Sequence, residues 1–89
     1  MTDLFNFFLQ FLAEAAFSSI TGVRITASRM LFVHLKMDVN RVNQKVRENI
    51  LGAIFYLLRL KVSTYKQMGI KLASLVLKWT DSLRDKVEN

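Results

Sequence analysis

Val39, Val42, Val46, Ile50, Ala53, Leu57 and Leu60 recur at steps of three and four residues. That period lays one apolar stripe along a helix of about six turns. Above Ile50 the same helix becomes apolar nearly all round, through Leu51, Ile54, Phe55, Tyr56 and Leu58, which is more than one neighbour covers. An 89-residue chain has only its own other helices, or a second copy, with which to bury so long a seam. The absence of Cys and Pro and the presence of only three Gly exclude a disulfide scaffold and a thiolate metal site. They also argue against a turn-rich β fold.

The rest of the chain reads in the same way. Thr2 or Asp3 can cap a first helix over about 3–17, with Phe5, Phe8, Leu9 and Leu12 on one stripe and Leu4, Phe7 and Phe11 widening it. Ser18 to Gly22 breaks the pattern, and Gly22 is expected at a turn or left-handed position. Ala27, Met30, Leu31, His34 and Leu35 return at helical spacing and predict a second helix from near Gly22 to Lys36. Asp38 or Asn40 can cap the third. Lys61–Tyr65 is the expected turn into a last helix ending at about 87, with Tyr65, Met68, Leu72, Leu75, Val76, Trp79 and Leu83 on its inner face and Asp81 on its outer one. The alternative is one helix from about 40 to 87, roughly 70 Å long, which would demand an oligomer. The expected architecture is therefore a single all-α domain over 1–89. Its three or four helices form a small bundle or hairpin, completed by dimerisation through Val46, Ile50, Ile54, Leu57, Leu58, Ile70 and Leu77.

Charge is distributed unevenly. Residues 23–78 hold eleven of the thirteen Lys and Arg but only two acidic groups, while the segments on either side are weakly acidic. A net charge of +6 concentrated in the middle implies an anionic partner. Arg41, Lys45 and Arg59 fall on the arc opposite the valine seam, with Arg41 and Arg59 about 27 Å apart along a helix. Gly52 lies within this arc, where it could admit a close approach. Arg29 and Lys36 share a face of the second helix, Lys71 and Lys78 an outer face of the last, and Arg24 and Arg47 add to the basic set.

Chemistry has little to stand on. His34 is the only side chain of ordinary pKa near neutrality, and its apolar neighbours predict a core-edge or interface histidine. The three glycines are isolated, so no phosphate cradle forms. Neither metal ligands at useful spacing nor a cofactor motif appears. The expectation is a non-enzyme with no cofactor.

Rigid helices carrying scattered Lys and Arg suit phosphate contacts, duplex RNA above all, more than base reading. The leading expectation is backbone contact through Arg24, Arg29, Lys36, Arg41, Lys45, Arg47, Arg59, Lys71 and Lys78. A small, basic, dimerising helical chain of this kind is similar in architecture to compact viral proteins that bind duplex RNA as paired helical hairpins. Two alternatives stand beside it. One is a protein-directed inhibitor or scaffold, of antitoxin or immunity type, that masks an acidic partner. The other is a peripheral protein on anionic membranes, using the Phe-rich first helix. No apolar run reaches the length of a conventional membrane span and no basic segment precedes the first helix, so the expected location is the cytoplasm.

Overall fold

The computed structural model describes residues 3–88, and the side chains of residues 3–79. The described residues form four α-helices and no strand: α1 (Leu4–Ala15), α2 (Thr21–Met37), α3 (Gln44–Arg59) and α4 (Ser63–Glu88). A 3₁₀ turn, Val39–Arg41, joins α2 to α3. Thr2 and the side chains of Asp81 and Leu83, named above, lie outside the described residues.

Local chemistry accounts for the helix ends. Asp3 caps α1, its Oδ1 accepting from the amides of Phe5 (3.1 Å) and Asn6 (3.3 Å). The Asn6 side chain and then its amide hold the Asp3 carboxyl below its ordinary range. Slight desolvation opposes them, and Arg41, 3.6 Å away, adds to the lowering. α3 starts later than expected. Its cap is Asn43, whose Oδ1 accepts from the Val46 amide at 3.0 Å, and neither Asp38 nor Asn40 has that role. The expected left-handed glycine is also absent: Gly22 is the second residue of α2, and no glycine has positive φ. At Leu60 the backbone is extended (ψ 139), so α3 stops there and α4 begins at Ser63. A single helix from 40 to 87 is therefore ruled out.

α1 packs against α2 and α3, and α4 packs against α3 and α2, which puts α1 and α4 at opposite corners. Leu9 and Leu12 from α1, Leu31 and Leu35 from α2, Ile50 and Leu57 from α3, and Leu72 and Val76 from α4 meet in one core. Each helix thus contributes residues of its marked stripe to the core, although Met30 of the α2 stripe is exposed. Of the residues expected to face a second copy, Val46, Ile50, Ile54 and Leu57 are instead buried in the chain's own core. The seam is covered intramolecularly. Leu58 is half-buried against α4, and Ile70 and Leu77 remain exposed.

Helices α3 and α4 approach each other closely at Gly69. A Cβ built there would lie 2.9 Å from Leu58 Cδ2 and 3.0 Å from its Cγ. At Gly52, the glycine marked above as a place of close approach, the nearest atom is Phe17 Cζ at an ordinary 3.8 Å. Gly69→Ala is therefore expected to overpack the pair and cost about 1–3 kcal/mol. Gly52→Ala should leave stability unchanged or raise it, since it removes a helix-interior glycine. Chemical denaturation midpoints of the two variants check this contrast.

Candidate binding surfaces

Two of the nine cations expected to contact nucleic acid are engaged within the fold. Arg24 donates from Nε to the Ser18 carbonyl at 2.9 Å. Its guanidinium lies 5.0 Å from the Tyr65 ring centre and 5.8 Å from that of Tyr56. Arg47 donates from Nε to the Val42 carbonyl (2.7 Å) and from Nη2 to the Asn40 carbonyl (3.2 Å), over the Trp79 ring. A planar fork that bonds carbonyls while stacking on rings is a structural use of arginine. Arg41 is more exposed, but it stands over Phe5 and pairs with Asp3. Trp79 completes this corner by donating from its indole to the Val39 carbonyl at 3.2 Å.

The remaining cations do not form one row. Lys45 and Arg59 are exposed on α3, which sits diagonally across the bundle from α2. Arg29 and Lys71 come together, at the rim of a groove of about 390 Å³ between α2 and α4. Ser28, Phe32, Val33, Thr64, Gln67 and Met68 line the rest of it. α2 and α4 run in the same direction, because Ser28 and Arg29 lie across the groove from Thr64 and Gln67 while Val39 meets Trp79. Lys36 follows Arg29 by seven residues, and Lys78 follows Lys71 by seven, so each pair shares a face with about 10 Å between its members. Lys36 Nζ lies 5.9 Å from the ring centre of Phe32, a groove residue. Residues 21–37 and 63–79 contain no Asp or Glu. The α2–α4 side is therefore uniformly basic over a floor of mixed polarity.

The neighbouring side has the opposite character. Leu4, Phe7 and Phe11 of α1 are 74, 66 and 60% exposed. Ile20 before α2, and Val23 and Met30 on it, line the cleft beside them, and Met37 (75%) and Val33 are exposed on α2 as well, Val33 at the border with the α2–α4 groove. The cleft between α1 and α2, lined by Phe11, Leu12, Ala15, Ile20, Val23, Ala27 and Met30 with Gly22 and Thr26, contains no charged side chain. The breadth of this apolar arc on α1 is visible in the sequence, where Leu4, Phe7 and Phe11 widen the stripe. Its continuation onto α2 emerges only when the two helices are placed side by side.

His34 sits at the edge of the core. Its Nδ1 is 2.8 Å from the Met30 carbonyl and its ring meets Phe8 edge-on at 4.9 Å. Among the described residues no three His, Asp or Glu side chains cluster as metal ligands would, and no helix is long and apolar enough to cross a membrane. Comparison with protein-family models, curated proteins and solved structures gives no significant match to this chain.

Proposed function

We propose that this chain is a non-enzymatic binding module that takes an acidic, partly apolar protein segment in the groove between α2 and α4. The observation that carries the reading is the convergence of Arg29 and Lys71 over Phe32, Val33 and Met68, on two helices free of carboxylates from 21 to 37 and from 63 to 79. Cations at the rim attract carboxylates and set the approach, while Phe32, Val33 and Met68 supply the desolvated contact that holds a side chain in place. A phosphate backbone would use the rim but gain nothing from these apolar side chains. The engagement of Arg24 and Arg47 inside the fold also shortens the basic row that a duplex would need.

Nucleic-acid backbone contact is the second reading. The seven-residue spacing of Arg29 with Lys36 and of Lys71 with Lys78 favours it, because it makes a short two-row ladder of positive charge along the groove. Selection of a random peptide display library on the purified chain separates the two. Enriched peptides are expected to carry an apolar residue flanked by Asp or Glu, and the double variant Arg29→Glu, Lys71→Glu should weaken their binding at least about tenfold. Absence of enrichment, or peptides indifferent to the double variant, defeats the proposal. Tighter binding of duplex RNA, with affinity falling steeply in salt, would put the second reading in its place.

A further inference from the structure

We infer that the apolar face formed by α1 and α2 is a self-association surface whose occupant is a second copy of this chain. The eight large apolar side chains on this face are between 37 and 75% exposed, together more than four fully exposed side chains. An exposed apolar patch rimmed by charged residues marks an interaction surface.

Charge selects the occupant. A chain of net charge +6 repels its own copy wherever cations face each other, and exposed cations stand on α3, on α4, on the α4-facing edge of α2 and, paired with Asp3, at Arg41 of the 3₁₀ turn. The α1–α2 cleft carries none. The two long edges of the face differ in charge. Along α1, Glu14 borders it with Phe7 and Gln10, while Asp3 on the same border is already paired with Arg41 and Lys45 of α3 lies beyond. Along α2, Arg29 and Lys36 follow Val33 and Met37 around the helix. α1 and α2 are antiparallel neighbours, since Phe8 meets His34 near one end and Ala15 lies beside Val23 near the other.

A two-fold axis running along the helices places α1 of each copy over α2 of the other. That operation brings Glu14 of one copy to the Arg29 edge of its partner, twice, around an apolar centre. Such a face is self-complementary in the way a closed dimer requires. A membrane surface of anionic lipid would accept the apolar centre and the α2 edge but would be repelled by Glu14 along the other. Glu14 now accepts only a hydrogen bond from Gln10 Nε2, at 2.7 Å on the same helix, so its charge has no cationic partner among the described residues.

Sedimentation equilibrium of the full chain tests this, with helicity monitored by circular dichroism. The wild type is expected to be a dimer. Phe11→Glu and, independently, Met37→Glu should raise its dissociation constant at least about tenfold, with helicity intact because both side chains are solvent-exposed. Ile70→Glu on α4 should leave the mass unchanged. Glu14→Arg should weaken the dimer, and adding Arg29→Glu should restore it. Arg29 also borders the α2–α4 groove, so this pair is read in mass and not in peptide binding. A monomer at millimolar concentration would overturn the inference, as would a dimer broken by Ile70→Glu but not by Phe11→Glu. A monomer that associates with phosphatidylserine vesicles through Phe11 would overturn it in favour of a membrane. Each result leaves the peptide selection free to succeed or fail on its own.

Discussion

Leu57→Asp is expected to unfold the chain, not merely to split an assembly. Leu57 is fully buried in the core where α3 meets the other helices. A carboxylate there has no partner and no water, and it also replaces a side chain that packs on all sides. Substitutions that bury an unpaired charge belong to the small class costing more than about 4 kcal/mol, which is comparable with the whole stability expected of a domain this size. Loss of the helical circular dichroism signal at neutral pH is the predicted observation. A variant that kept its helicity while its sedimentation mass fell would mean that Leu57 faces a second copy after all.

Asn6→Ala should have the next largest effect, about 2–4 kcal/mol. Asn6 is buried, and its amide is used at every side. Nδ2 donates to Asp3 and to the Arg41 carbonyl at 3.2 Å, and Oδ1 accepts from the Asn43 amide at 2.8 Å. One side chain thus ties the start of α1 to the link that sets up α3. Its removal leaves a part-buried amide and a part-buried carbonyl without partners and withdraws a donor from the Asp3 carboxylate. The pH dependence should change with it. Asp3 is depressed in the folded chain, chiefly by Asn6, so its contribution is complete above the ordinary aspartate pKa and is lost as pH falls through the lower folded value. In the wild type, stability should therefore fall at acid pH, and in Asn6→Ala that part of the fall should flatten. Equal denaturation midpoints for the two proteins at neutral pH would show that the Asn6 bonds contribute nothing net.

The helices themselves were legible because their periodicity is a property of neighbouring residues. The valine–isoleucine–leucine seam of α3 and the Tyr65–Leu72–Val76–Trp79 face of α4 are buried as their spacing predicts. The start of α3 was not legible. Asp38, Asn40 and Asn43 are all residues that cap helices, and the choice involves distant groups: Trp79 bonds the Val39 carbonyl and Asn6 bonds the Arg41 carbonyl and the Asn43 amide, while the nearer Arg47 bonds the carbonyls of Asn40 and Val42, which uses that stretch outside the helix. The structural use of Arg24 and Arg47 was hidden for the same reason, since Tyr56, Tyr65 and Trp79 are far from them in sequence. A charge count treats a guanidinium stacked in a corner and one in solvent alike. The seam presented a similar ambiguity. An apolar stripe shows that something covers it, but not whether the cover is another helix of the same chain or a second molecule.

What the fold adds to the functional reading is adjacency. Arg29 and Lys71 are remote in sequence and meet only because α4 packs beside α2. The most direct test of the proposed function is a backbone amide shift map of the labelled chain, recorded in parallel with an acidic, apolar-containing peptide and with duplex RNA. The prediction is that the peptide perturbs amides around 28–33 and 64–71 and leaves the outer row of α3 unmoved. Perturbation by duplex RNA along Lys45 to Arg59, with the α2–α4 groove silent to peptide, would contradict the account.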